Sequence, residues 1–440
     1  MFTFGRSNVR LLLNTFGLLV EVVLMSFGLA RNSLAMGCGT ETNTGIGNVS
    51  PMVVDGFPCK SGGKAGEINW PQVPYVSVKI CSPGSLANCQ VIDHVIVDSG
   101  STGLRVAYSA LSPKLRSGFK KLPLKSSFGK TLTECEAYIS SYVYGPIAQA
   151  DVHIAGESAR NTQLQIFGHP RYRVTRDCKR QGGDEMDSTQ SFGGNGLIGV
   201  SFYLRDDHAL YYNCQPNTSF CKANTTFPGI PNTVSQFATN NNGAVLSFPP
   251  LSTPDSSTPI EGTLAFGIST QSNNTPGVNT LALLNDGGTT SDSGTFEAKI
   301  GSNWSNAYID SGTDTVYFYD DQNSALKACP STSYYAGWYC PLATQHLTFN
   351  LADAGTTKTQ GYLHFTVANP RNTFTSSTIA YDNIGGVSSP SSNLDNSMAF
   401  GLSVFFGNKM YFLFNDQKAS TFGTLSGRIK GPINGIEPRY

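Results

Sequence analysis

Charge is scarce in this sequence. Charged residues make up 14% of the chain, against about 25% in ordinary soluble proteins. The 30 basic residues balance 30 acidic ones, so neither nucleic acid nor an acidic tail is indicated. No Cys-x-x-Cys pair occurs, which argues against zinc-ribbon and thioredoxin-like chemistry. No Gly-x-Ser-x-Gly elbow for a nucleophilic serine is present. The histidines (His94, His153, His169, His208, His346 and His364) show no metal-ligand spacing. Gly194-Asn-Gly196-Leu-Ile-Gly199 fits a dinucleotide pattern, but polar residues 187–191 precede it where a strand is required. Extended helical periodicity is also missing. Neither a metal nor an organic cofactor is expected.

What is present reads as short strands and turns. Glycine is 46 of 440 residues, above the usual ~7%, and Ser, Thr and Asn accompany many Tyr and Phe. A hydrophobic content of 39% suffices for a core in a chain of this length. Arg6 and Arg10 precede an apolar run from Leu11 to Ala30, and Ser33 and Ala35 supply small residues of the kind a signal peptidase reads. Glu21 within the run disfavours a permanent membrane anchor, since a carboxylate there costs about 3 kcal/mol on insertion scales. Cleavage after Ala35 is expected, with export to the periplasm, the outer surface or the medium. Membrane attachment follows only if Cys38 is lipidated or the signal segment stays uncleaved. The ten cysteines are even in number and suit an exported, disulfide-bonded chain. The pairing expected from proximity is Cys81–Cys89, Cys214–Cys221 and Cys329–Cys340, then Cys135–Cys178 and Cys38–Cys59.

The chain repeats itself once. His94-Val-Ile-Val-Asp98-Ser99-Gly100-Ser101 and Asn306-Ala-Tyr-Ile-Asp310-Ser311-Gly312-Thr313 each run an apolar strand into Asp-Ser-Gly-Ser/Thr. They lie about half the chain apart. Each is followed by an apolar-apolar-Gly segment, Leu197-Ile198-Gly199 and Ala399-Phe400-Gly401. Between the halves lies a Pro/Ser-rich stretch, 248–259. A single Asp-Ser-Gly is ordinarily a turn. Two copies with matching downstream strands imply two copies of one lobe.

Paired aspartates carry a specific chemistry. Two facing carboxyls cannot both ionise, so they share a proton. The ionised one acts as general base on a water held between them, and the protonated one donates to a carbonyl oxygen. Glycine after the serine lets backbone N–H groups approach each carboxylate. The hydroxyls of Ser101 and Thr313 are placed to hold the outer carboxylate oxygens.

On these motifs the sequence resembles the pepsin-like aspartic peptidases. More narrowly it resembles a bacterial group of uncharacterised exported proteins with the same double motif. Gly262-Thr-Leu-Ala-Phe-Gly267 is similar to the strand that opens the family's second lobe, and 400–406 to its closing strand. The resemblance spans roughly Val73 to Asp416. It implies an all-β, bilobal fold with pseudo-twofold lobes, a cleft between them, one catalytic aspartate from each, and endopeptidase action on extended peptides. The expected layout is a signal peptide at 1–35, an extension at 36–70, a lobe with Asp98 at 71–248, a linker at 249–260, and a lobe with Asp310 at 261–440.

The resemblance also implies a hairpin flap over the cleft, and 138–154 reads as that hairpin, turning at Gly145-Pro146. Tyr144 then matches the flap tyrosine, and Tyr144 and Gly145 become expected substrate contacts. Arg105 stands near a position where the family carries tryptophan. A cation beside the cleft would favour ionised aspartates. The expected partner is a peptide or protein substrate, and the expected state is a monomer. The alternative reading is an inactive pepsin-like protein that binds peptide or a cell-surface partner in the cleft.

Overall fold

The computed structural model describes residues 43–57, 70–119, 130–286, 294–388 and 397–438. The expected signal segment and the Cys38–Cys59 pair lie outside them. Strands dominate, and the longest helix among the described residues is the seven-residue Pro113–Phe119. No helix of the described residues is long and apolar enough to cross a membrane.

Strand burial follows residue pattern. In Gln345–Ala352, Leu347, Phe349 and Leu351 turn inward while His346 and Thr348 face solvent, the alternation of a sheet with one wet face. Strands Thr102–Ala107 and Gly196–Val200 beside the first Asp-Ser-Gly motif have no such alternation. Val95, Val97, Leu104, Val106, Ile198 and Val200 are all fully enclosed, as in strands covered on both faces.

The internal repeat is visible in the topology. Strands β1 (Val49–Val54), β2 (Tyr75–Cys81), β3 (Cys89–Asp98) and β4 (Thr102–Ala107) open the first half. β3 ends on Asp98 and runs parallel to Gly196–Val200, with Asp98 opposite Gly199. β4 pairs antiparallel with that same segment. In the second half, Asn303–Ile309 leads into Asp310 and runs parallel to Met398–Phe400, which pairs antiparallel with Val316–Phe318. Both aspartates therefore leave equivalent strand ends, each backed by its apolar-apolar-Gly segment. This is the all-β, bilobal fold that the resemblance implies.

One sheet joins the halves beneath the motifs. β1 pairs with Ile260–Phe266, which pairs with Gly243–Ser247, which pairs with Asn408–Leu413 from near the end of the chain. Phe248, Phe266, Phe406 and Phe412 are buried within the main core around it.

A long hairpin rises from the first half. β5 (Thr131–Ala137) pairs with β6 (Ser141–Ile154), which then pairs with β7 (Glu157–Phe167). Among the described residues four disulfides form, three of them closing short loops: Cys81–Cys89, Cys214–Cys221 and Cys329–Cys340, with Cys135–Cys178 spanning 43 residues. Two of them join residues directly opposite on paired strands.

Candidate active site

The two strand ends bring Asp98 and Asp310 together, both buried. Each carboxyl is held in the same way by its own loop. The Gly100 N–H donates to Asp98 Oδ1 at 2.8 Å and the Ser101 hydroxyl to Asp98 Oδ2 at 2.6 Å. The Gly312 N–H donates to Asp310 Oδ1 at 2.7 Å and the Thr313 hydroxyl to Asp310 Oδ2 at 2.6 Å. Glycine is required at these positions by proximity. A Cβ on Gly100 would lie 2.7 Å from Asp310 Cγ, and one on Gly312 would lie 2.7 Å from Asp98 Oδ1.

The serines of the two motifs fix the loops against each other. Ser99 and Ser311 are 212 residues apart in sequence. The Ser99 N–H donates to Ser311 Oγ at 3.0 Å, and the Ser311 N–H donates to Ser99 Oγ at 2.9 Å. Their hydroxyls donate onward to Ile309 O at 3.2 Å and Val97 O at 2.8 Å. Every polar group of this buried crossing has a partner, as buried polar groups require.

Burial, then the negative charge of Asp310 and a hydrogen bond to it, push Asp98 up to about 7, against the pull of the Ser101 hydroxyl and the Gly100 N–H. Two buried carboxyls this close resist ionising together, so the pair favours holding one proton toward neutral pH.

The aspartates floor a cleft of about 480 Å³. Its walls combine apolar side chains such as Ile96 and Leu197 with Tyr203 and Tyr308, and residues 136–139 of the hairpin border it.

The expected flap contacts need correction. The hairpin turns at 138–140, where the Tyr138 N–H donates to Ser141 O at 2.7 Å. Gly145 and Pro146 lie within β6, opposite Glu134 and Thr133. Up to Pro146 the strand pairs with β5; from Ile147 it pairs with β7. Proline fits this change of partner. Gly145 allows close passage, since a Cβ there would lie 1.9 Å from Ile166 O. Tyr144 is buried away from the cleft. Its hydroxyl meets Thr133 Oγ1 at 2.9 Å and Cys214 Sγ at 3.1 Å, inside a cluster with Tyr142, Tyr212 and the Cys135–Cys178 bridge. The hairpin tyrosine that borders the cleft is Tyr138. Its hydroxyl is buried and has no hydrogen-bond partner among the described residues.

Arg105 also departs from expectation. It is fully buried and does not line the cleft. Its guanidinium donates to Thr102 O at 2.7 Å and contacts Glu134 at 3.1 Å, Glu136 at 3.2 Å, and Asp206. The Tyr211 hydroxyl adds a 2.8 Å bond to Glu134. Its charge is thus taken up by three carboxyls, and Asp98 is raised rather than lowered. The three carboxyls cluster as metal ligands do, but the guanidinium already stands among them. A signal for this group exists in the sequence. Arg105 interrupts an apolar strand, and Glu134 and Glu136 share a face at strand spacing. A buried charge demands partners.

No curated protein matches the chain. Among solved structures, an aspartic proteinase from Irpex lacteus is similar at 15% identity and a TM-score of 0.49, over 89% of this chain and 96% of that one. A family model described as "Protein of unknown function (DUF3443)" matches residues 44–429, and the chain belongs to that family.

Proposed function

We propose that the protein is an exported aspartic endopeptidase that hydrolyses peptide bonds with Asp98 and Asp310. The observation that carries this reading is the pair of buried carboxyls, each packed against the other's loop glycine and each held by a glycine N–H and a hydroxyl, at the floor of a cleft. Export is supported by the four disulfides, which suit an oxidising compartment, and by the signal-like segment at 1–35. Cleavage after Ala35 and the lobe layout given above belong to the same proposal.

The chemistry follows from one shared proton. A water between the carboxyls loses a proton to the ionised member as its oxygen bonds to the peptide carbon. The protonated member gives its proton to the carbonyl oxygen. The resulting diol collapses as the dyad's proton passes to the amide nitrogen and the C–N bond breaks, and one diol hydroxyl returns its proton to the dyad as the carboxylic acid product forms. Ser101, Thr313, Gly100 and Gly312 hold the carboxyls in register throughout. Ser99 and Ser311 act as positioning residues, fixing one loop against the other.

The test is cleavage of a peptide library by the mature chain from pH 3 to 8. Asp98→Asn and Asp310→Asn are each expected to lower cleavage by roughly 10²–10⁴-fold while the circular dichroism spectrum is retained. Retained cleavage in either variant overturns the dyad. No cleavage by the wild type, with peptide still bound in the cleft, favours a binding protein instead.

A further inference from the structure

We propose that Glu136 determines substrate specificity: its carboxyl receives a lysine or arginine side chain of the bound peptide, and gives up its own proton in doing so. The inference rests on the peptidase reading only in taking the occupant to be a peptide.

Glu136 belongs to the buried cluster and to the cleft at once. It borders the cleft beside Tyr138 and Asp98, and its side chain is 11% exposed where those of Arg105 and Glu134 have no exposure. The cluster holds three carboxyls against one guanidinium, so it cannot be neutral with all three ionised. Oxygens of Glu134, Glu136 and Asp206 lie within 4.8 Å of one another, and three buried carboxyls that close cannot all ionise against one guanidinium, so a proton is retained among them. The cluster is not fully satisfied: one Glu134 oxygen and the Arg105 Nε–H, both buried, have no hydrogen-bond partner among the described residues. Nor does the cleft supply a cation. Among its described lining residues the ionisable carboxyls are Asp98, Asp310 and Glu136, His208 is the one histidine, and there is no lysine or arginine.

A peptide cation arriving at Glu136 completes this arrangement. Burial, Asp206 and Glu134 hold the Glu136 proton well above the usual carboxyl range, while Arg105 pulls the other way. A second cation adds to the pull of Arg105. The proton retained among the carboxyls leaves to solvent, the Glu136 carboxylate forms, and an ammonium or guanidinium takes its place. No bond other than O–H is broken. Lysine reaches such a site through its flexible stem, and arginine adds planar two-point contact.

The experiment uses the mature Asp98→Asn chain, so that peptides bind uncut, and octapeptides that differ only by lysine or norleucine at one position. Calorimetry in two buffers of different ionisation enthalpy reads affinity and proton release together. At one position lysine is expected to bind about tenfold tighter or more and to release about one proton. The preference should grow with pH, approaching tenfold per unit while Glu136 is protonated in the free protein. Glu136→Gln should abolish both preference and release. Should that variant fold poorly, the pH dependence of the unmutated site decides alone. Equal affinity for the two peptides at every position, or a preference without proton release, overturns the proposal, and absence of any binding overturns it too. The two readings fail separately. Lysine preference in a chain whose wild type cuts nothing removes the peptidase and keeps the specificity site. Cleavage that ignores charge does the reverse.

Discussion

The Ser311 N–H donates to the Ser99 hydroxyl at 2.9 Å, and the Ser99 N–H donates to the Ser311 hydroxyl at 3.0 Å. Each hydroxyl serves the loop of the other half. Ser99→Ala removes the acceptor for the Ser311 N–H and the donor to Ile309 O. A buried donor left unpaired costs about 1–3 kcal/mol. Urea denaturation of the mature chain should show a loss of that size, with a fall in kcat because the carboxyls lose their mutual register. Ser99→Thr keeps the hydroxyl and should recover most of both. Wild-type stability in Ser99→Ala would count against this crossing as the device that aligns the dyad.

Asp98 provides a pH signature independent of substrate. Its folded value is about 7, above the ~3.9 of an unfolded chain. The native state therefore binds more protons between these values, and stability falls as pH rises through that window. Below about pH 4 the effect is absent; above about 7 it is complete. Asp98→Asn cannot ionise and escapes it. The variant should melt higher than wild type at pH 8, by up to roughly 4 kcal/mol in free energy, and the gap should close toward pH 4. A gap that does not vary with pH would contradict the shared-proton arrangement. Peptide cleavage, which needs that proton, should decline as pH rises through about 7.

The motif pair was legible in the sequence because a chemical demand recurs. Two facing carboxyls each need a glycine N–H and a hydroxyl, and both halves spell that need in one four-residue pattern, Asp-Ser-Gly-Ser/Thr. The hairpin was legible in its existence and not in its turn. Gly145-Pro146 carries the signs of a reversal, yet both residues serve a strand that changes partner there. Glycine answers a close passage past Ile166 O, which no local pattern announces. Arg105 was visible as an anomaly, but its carboxyl partners come from two distant segments, and pairings at such distance follow from topology rather than from local order.

The hairpin geometry separates two tyrosines. Tyr138 borders the cleft with a hydroxyl that has no partner among the described residues, so Tyr138→Phe and Tyr138→Ala should raise KM for peptides, the alanine variant more strongly because the ring itself is lost. Tyr144 is bonded to Thr133 and Cys214 in a packed cluster. Tyr144→Phe should leave KM unchanged and lower stability by about 1 kcal/mol, the usual net value of a buried hydrogen bond. Steady-state kinetics with equilibrium unfolding of both variants checks the assignment. A KM effect confined to Tyr144 would restore it as the flap residue.

His94 ties the segment that follows β1 to the strand that carries Asp98. Its Nε2 lies 2.9 Å from Asp55 and its Nδ1 3.1 Å from Asp93, and its ring stacks on Phe57 at 4.2 Å. Burial alone would lower its proton affinity, but the hydrogen bonds and charges of Asp55 and Asp93 prevail and raise it to about 9. A folded value above the unfolded 6.5 means that the stabilisation is fully present below pH 6.5 and is lost as pH climbs through about 9. From the size of the shift it amounts to at most about 3 kcal/mol. His94 sits at φ 48°, a left-handed conformation that asparagine tolerates, so His94→Asn removes the charge without adding backbone strain. Wild type should exceed His94→Asn in stability most at pH 6 and least above pH 9. A constant difference across that range would mean that the stacked ring, and not the imidazolium between two carboxylates, holds this segment down.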